Sequence, residues 1–418
     1  METKRIIIED RNHIKDEELK EAASILRSGG LVAFPTETVY GLGGNALDED
    51  AARKIYAAKG RPSDNPLIAH VSCVEEVAPL VKEIPEAGRK LMEAFWPGPL
   101  TMIFPKSEKV PYGTTGGLDT VAIRMPDDPV ANRLIALAGV PVAAPSANTS
   151  GRPSPTTADH VWQDMNGRIE MIIDGGPVGI GVESTIVDVS SAVPSVLRPG
   201  AITMEMLAEV LGEVSVDPAI LGPLSADVRP KAPGMKYKHY APKADLTLVE
   251  PGTGTERESG AEQVTGAEQK TGAEQVNGAE QKNGAGQKTG AEQKTGAEQK
   301  TGADRNTGAD PETGLDETQL QAMIRKVREL SREKIEAGYK VGVICTDESR
   351  GCYTDGEVRS IGARKSQASV AHNLYALLRE FDDLGVDYIF SESFPKDHLG
   401  QAIMNRLSKA AGYKIVKV

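Results

Sequence analysis

Cysteine is scarce. Only Cys73, Cys345 and Cys352 occur, and no two of them form a Cys-x-x-Cys pair. An odd, scattered set builds neither a disulfide framework nor a zinc knuckle, and it fits a reducing compartment. Long apolar runs are missing too. No stretch approaches the ~18 residues that a membrane span needs. The N-terminal METKRIIIEDRNH returns to charge after Ile6–Ile8, too soon for a signal peptide. The expectation is a cytoplasmic protein without a membrane partner. Positive charge is in deficit, with 48 Lys and Arg against 60 Asp and Glu and a net charge of -12. A chain that coats nucleic acid usually presents a basic face, so no stable nucleic-acid binding is expected, although one local basic pocket is compatible with the balance. Two catalytic signatures are also absent: the Gly-x4-Gly-Lys-Ser/Thr spacing of a P-loop and any Ser, His and Asp spacing of a serine hydrolase.

The chain has 418 residues, 39% hydrophobic and 26% charged, more than one core usually holds. From Gly260 to Gly314 it repeats every six residues: GAEQVT, GAEQKT, GAEQVN and onward to GADPET. A hexad β-helix needs an apolar residue at a fixed position. Here the fixed positions are Gly and Ala, and valine appears only at Val264 and Val276. Glycine every sixth residue also weakens any helix. A solvated, disordered tether is the reading; a partner-binding repeat and a partly helical spacer are the alternatives.

Residues 1–215 mix short strands with helices. Strands are expected at Arg5–Glu9, Leu31–Pro35, Leu67–Val71, Leu100–Pro105, Thr120–Arg124, Val142–Pro145, Met171–Asp174 and Ser184–Asp188. Helices are expected at Asp16–Arg27, stopped by Gly29-Gly30, and at Asp50–Lys59. This pattern predicts a twisted mixed sheet with flanking helices. Residues 216–243 form a connector. From residue 244 to 418 the pattern alternates: strand Asp245–Glu250, helix Glu317–Ala337, strand Lys340–Thr346, helix Ala368–Leu384, strand Tyr388–Ser391, helix Gly400–Ala411 and strand Tyr413–Val416. That predicts a smaller, Rossmann-like α/β domain with a parallel sheet, interrupted by the repeat at about 254–315. A surface loop tolerates such an insert because closure entropy grows slowly with length.

Six clusters carry candidate chemistry. In FPTETVYGLGGNA, Thr36, Glu37 and Thr38 offer hydroxyls and a carboxylate at a strand end, followed by a Gly-rich turn; such turns are more often structural. In KGRPSDNPLIAH, Lys59 either caps a helix or joins Arg61 in presenting a point charge and a fork to one spot, which suits a polyphosphate. Arg124 ends an apolar strand and is either structural or a carboxylate ligand. APSANTSGRPSPT places Ser146, Asn148 and Ser150 in a loop that can cradle phosphate oxygens or help hold Mg²⁺. ESTIVDVS with LRPG supplies Glu183, Ser184, Thr185 and Arg198. PGMKYKHYAP puts two lysines, a histidine and two tyrosines in the connector, as in a strap that contacts a ligand.

Together FPTETVYGLGGNA, KGRPSDNPL, FWPGPLT, TVAIRMPD, APSANTSG, ESTIVD and LRPG closely resemble the YrdC-like family, and the connector with its C-terminal domain looks like the long, two-domain branch of threonylcarbamoyl-AMP synthases. The resemblance implies that L-threonine, bicarbonate and ATP, with Mg²⁺, give threonylcarbamoyl-AMP and pyrophosphate. The product would pass to the tRNA threonylcarbamoyl transferase machinery for modification of position 37. It implies catalytic Lys59 and Arg61; threonine contacts at Thr38, His70, Arg124, Ala144 and Ser184; and ATP contacts at Arg61, Asn65, Thr120, Ser146, Ser154 and Arg198. A connector tyrosine, Tyr237 or Tyr240, would close over the nucleotide. No direct protein ligand to the metal is implied beyond its vicinity to Ser146 and Asn148. Three rivals remain: an RNA-binding module of the same fold; a hydrogenase-maturation carbamoyl transferase, which three scattered cysteines cannot supply with zinc sites; and a purely structural protein, with the hexads as an interaction tether and the globular parts as anchors.

Overall fold

The computed structural model describes residues 1–220, 230–233, 239–252 and 317–418. The hexad repeat and Tyr237 lie outside them.

The first domain runs through β1 (Lys4–Ile7), α1 (Asp16–Arg27), β2 (Val32–Phe34), β3 (Gly41–Asn45), α2 (Glu49–Lys59), β4 (Ile68–His70), α3 (Glu86–Phe95), β5 (Leu100–Pro105), α4 (Tyr112–Thr115), β6 (Thr120–Arg124), α5 (Pro129–Ala138), β7 (Val142–Ala143), α6 (Ala158–Met165), β8 (Met171–Asp174), β9 (Thr185–Asp188), β10 (Ser195–Arg198), α7 (Met204–Leu211) and β11 (Ser215–Val216). The strands join one mixed sheet in the order β1-β8-β2-β3-β7-β4-β6-β5-β9-β10-β11. Alternation along each strand divides the core. Val32, Phe34, Met171 and Ile173 meet Leu19, Leu26, Leu134 and Ile135 of α1 and α5. Ala33, Ile172 and Ile123 face Ile55, Leu91, Val161 and Leu207 of α2, α3, α6 and α7. Helices α2 and α5 begin on side-chain caps: Asp48 accepts from the Asp50 amide at 2.9 Å, and Asp128 from Val130 and Ala131 at 2.9 and 3.1 Å.

The Gly-rich stretch after Phe34 is a strand, β3, rather than the turn its composition suggests. A Cβ at Gly43 would lie 2.7 Å from the Phe34 ring and 2.9 Å from Val142. Glycine here lets strands and aromatic side chains close up. Helices α3, α5, α6 and α7 also go beyond the two expected in this half. They carry most of the apolar surface that covers the sheet.

The second domain has β12 (Asp245–Glu250), α8 (Glu317–Glu336), β13 (Val341–Cys345), β14 (Glu357–Ser360), α9 (Gln367–Leu384), β15 (Tyr388–Glu392), α10 (His398–Ala410) and β16 (Ile415–Lys417). Its sheet is parallel throughout, in the order β14-β13-β15-β12-β16. Helix α8 covers one face through Met323 and Val327. Helices α9 and α10 cover the other, and that layer shares its core with Val39, Val182 and Tyr240. The unexpected strand, β14, is an edge strand of half-exposed residues, with no burial alternation to read.

The domains meet backbone to backbone at Gly181. Its φ is +90°, and a Cβ there would lie 2.5 Å from the Cα of His372 in α9. The Gly181 amide donates to the Thr38 carbonyl at 3.0 Å, and the Ile180 amide to that of Glu37 at 2.8 Å.

Candidate active site

Strand ends and loops of the first domain and the connector converge on one cavity. Thr38, Arg61, His70, Arg124, Ala144, Ser146, Ser184, Arg198 and Tyr240 line it, together with Glu183, Pro233 and His239. Nine residues to which the resemblance assigns a role are thus brought together, with Glu183 of the same motifs beside them.

Parallel pairing of β4 with β6 puts His70 beside Arg124. Arg124 donates to the Thr38 hydroxyl at 3.0 Å and pairs with Glu37 at 2.6 Å. Thr36 holds the turn by donating to the Val39 carbonyl at 2.6 Å. His70 Nδ1 lies 3.0 Å from the Ile68 carbonyl. That oxygen only accepts, so Nδ1 is assigned the proton. Burial first, and then Arg124, pushes the imidazole down to about 3, so His70 is neutral at physiological pH.

Two cations sit side by side at the end of α2. Lys59 Nζ donates to the backbone carbonyls of Ser146 and, at 2.6 Å, Asn148. Burial, and then Arg61, lowers it well below an ordinary lysine. Arg61 donates to the carbonyls of Asn65 and Pro66 at 3.3 and 3.0 Å, its Nε has no partner, and burial lowers it to about 10. Asn65 Oδ1 and His239 Nε2 are likewise buried and unpaired. Such orphans are costly; Arg61 and His239 line the cavity, where a ligand would satisfy them.

On the opposite rim, Arg198 donates through Nε and Nη2 to the carbonyl and hydroxyl of Ser184, at 3.0 and 3.1 Å. Ser184 also meets Thr101 at 2.8 Å. From the connector, Tyr240 adopts a left-handed φ of 65° and stacks on Tyr375 of α9 with centroids 5.4 Å apart. A non-glycine residue in that conformation stores strain, and the stack holds it there.

Four of the expected residues do not line the cavity. Lys59 lies behind Ser146. Asn65 supports Arg61. Ser154 is buried, donating to Glu183 at 2.6 Å. Thr120 opens β6, four residues before Arg124, roughly 13 Å along an extended strand.

Comparison with known proteins gives a consistent result. A family model described as Telomere recombination matches residues 24–200. A model described as Threonylcarbamoyl-AMP synthase, C-terminal domain, matches residues 202–412. Threonylcarbamoyl-AMP synthase of Pyrococcus abyssi is 43% identical over 99% of both chains. The chain belongs to the threonylcarbamoyl-AMP synthase family. The Bacillus subtilis member is 41% identical over the whole of both chains. The crystal structure of P. abyssi Sua5 complexed with L-threonine covers 100% of this chain with a TM-score of 0.78 and 41% identity. A variant of that protein with a His and a Tyr changed to Ala gives 0.79. A putative synthase of Mycobacterium tuberculosis aligns with only 46% of this chain at 38% identity.

The residues that sequence reasoning left without a role are Glu183, His239 and the second-domain side chains. Glu183 stands directly before Ser184 in the ESTIVD motif, and that adjacency was the available signal. No group of three or more His, Cys, Asp or Glu able to hold a metal occurs among the described residues. Ser146 Oγ donates to Asn148 Oδ1 at 2.6 Å. These neutral oxygens fit one or two ligand positions on a cation that arrives with its own phosphate ligands.

Proposed function

We propose that this protein condenses L-threonine, bicarbonate and ATP to threonylcarbamoyl-AMP and pyrophosphate, supplying the tRNA threonylcarbamoyl transferase machinery that modifies position 37. The observation that carries the reading is the juxtaposition, at one buried cavity, of the Arg124 fork and the desolvated Arg61 guanidinium, with Lys59 behind the Ser146 wall. Arg124 with Thr38 and neutral His70 would take the amino acid, with Ala144 and Ser184 completing the pocket. Lys59 and Arg61 would take the triphosphate, supported by Asn65, Ser146, Ser154 and Arg198. Thr120 would contact ATP only at a distance from this cluster.

The chemistry needs no covalent nucleophile. The threonine amine captures bicarbonate as a carbamate with loss of water. A carbamate oxygen then forms a bond to the α-phosphorus, and the bond to the pyrophosphate oxygen breaks. Fixed cations in a dry site stabilise the charge that builds on the leaving group. Mg²⁺, held by the triphosphate near Ser146 and Asn148, would neutralise further charge there. Both the carbamate and the mixed anhydride hydrolyse, so water must be kept out. The walls given by Pro233, His239 and Tyr240 suit a lid, with Tyr237 as the other candidate tyrosine.

The test is pyrophosphate release from ATP with and without L-threonine and bicarbonate, in the parent protein, Arg61→Ala, and a Tyr237→Ala/Tyr240→Ala double variant. Release that needs both co-substrates and drops about 100-fold in Arg61→Ala is expected for loss of a transition-state cation. Release indifferent to threonine would refute the synthase reading, and unchanged turnover in the double variant would refute the lid.

A further inference from the structure

The far rim of the cavity is gripped from the second domain. Arg406 of α10 is fully buried. Its Nε donates to Glu183 Oε2 at 3.0 Å, its Nη2 to the Glu183 carbonyl at 3.3 Å and its Nη1 to the Pro199 carbonyl at 2.5 Å. The Tyr375 hydroxyl of α9 adds bonds to both oxygens of the same carboxylate, at 2.9 and 3.1 Å. Arg379, one turn further along α9, donates to the Pro153 carbonyl at 2.7 and 3.2 Å.

Arg379 also pairs with Asp164 at 2.9 Å, but the other three gripped residues are chain neighbours of candidate site residues. Glu183 precedes Ser184, Pro199 follows Arg198, and Pro153 precedes Ser154. Ser154 is tied in a second time, through its bond to Glu183. Burial alone would raise the Glu183 carboxyl, but Arg406 and Arg198 outweigh it and hold the group down at about 2. It is therefore a fixed anion, unsuited to moving protons. Apolar side chains could cement two domains as well as buried ions do. What the ions add is direction, because a guanidinium fork fixes the orientation of each acceptor it meets.

We infer that the second domain is a clamp on the nucleotide side of the site, with Arg406 and Tyr375 acting as positioning residues that set Arg198, Ser184 and Ser154 through the Glu183 carboxylate. This rests on the function proposed above for the cavity. The second domain touches no reacting atom in this scheme. It decides where three groups of the first domain point, and the nucleotide reads the result, because two of those groups are its expected contacts.

The test compares Arg406→Met, Arg406→Lys and Tyr375→Phe with Arg364→Met. Arg364 pairs with Glu392 and donates to the Ser393 carbonyl wholly inside the second domain, so its loss perturbs that domain without touching the rim. Two readouts are taken: the KM values for ATP and L-threonine from pyrophosphate release, and the Kd for a non-hydrolysable ATP analogue. Misplaced binding groups should raise the ATP KM and the analogue Kd about tenfold or more in Arg406→Met. Arg406→Lys should recover part of this, and Tyr375→Phe, which loses one hydroxyl and little shape, should cost about threefold. The threonine KM should move less than the ATP KM in each, and Arg364→Met should leave both at the parent values. Parent-like ATP values in folded Tyr375→Phe and Arg406→Lys would overturn the clamp. So would an equal rise in Arg364→Met. If the parent released no pyrophosphate in response to threonine, the synthase reading would fail, while the analogue Kd would still judge the clamp.

Discussion

Arg124, His70, Lys59 and Arg61 are oriented by carbonyl, hydroxyl and carboxylate oxygens of their own domain. Across the cavity, Ser184, Arg198 and Ser154 sit next to residues gripped by α9 and α10. One wall is self-supporting, and the other is propped from outside. The difference teaches where each wall should fail. The first should fail in chemistry, when a side chain that meets substrate is removed. The second should fail through the joint between domains.

The largest effect expected is on the self-supporting wall. Arg124→Lys keeps the charge but not the fork. The loss of charge-assisted bonds to a carboxylate is worth roughly 3 kcal/mol, or about 100-fold. We expect that loss in kcat/KM for L-threonine, with the ATP KM little changed. An equal rise in both KM values would erase the distinction between the walls.

The joint itself comes next. Arg379 is buried against Asp164 at 2.9 Å. Removing one partner of a buried pair costs about 3–5 kcal/mol, and Arg152 still contacts Asp164, which argues for the lower end. Arg379→Met should lower the thermal midpoint of the full chain. A midpoint equal to the parent's would show that the joint does not rest on this pair.

Acid should separate the walls by pH window. His70 is held near 3 against an ordinary 6.5. The folded chain therefore binds fewer protons there than the unfolded chain, and stability is complete above 6.5 and drains as pH falls toward 3. Glu183 is held near 2 against 4.5, so its contribution is complete above 4.5 and drains toward 2. His70→Asn should flatten the stability curve in the upper window and Glu183→Gln in the lower one. Curves altered in the same window would contradict the assignment.

The smallest effect belongs to the repeat. Deleting Gly260–Gly314 should leave pyrophosphate release within twofold of the parent, because both walls lie elsewhere. A folded deletion variant without activity would show that the insert takes part.

The sequence made one wall far more legible than the other. Strands β5, β6 and β8 fall at the residues expected, since alternation and flanking turns mark them locally. Arg61, His70 and Arg124 stand in contiguous motifs and could be named from them. The Gly-rich β3 was opaque because its reason is the bulk of Phe34 and Val142 packed against it. The propped wall was opaque for a different reason. Arg406 reaches Glu183 across 223 residues and Tyr375 across 192, and no periodicity encodes a pairing at that separation. Tyr240 stacks on Tyr375 across 135 residues, a contact no local pattern announces, and Tyr237 lies outside the described residues.

Gly181 shows how narrow that joint is. One missing methyl group allows the loop between β8 and β9, which is bonded to the Thr38 carbonyl, to run against α9, so the register between the domains is set by an atom that is not there. A change to alanine would act as a wedge at that point, prising α9 away while leaving every ion pair intact in composition. Mutational tolerance at this one position should therefore follow volume rather than charge. A lineage that exchanged its second domain would have to keep a flat helix face opposite this glycine, whatever else it altered.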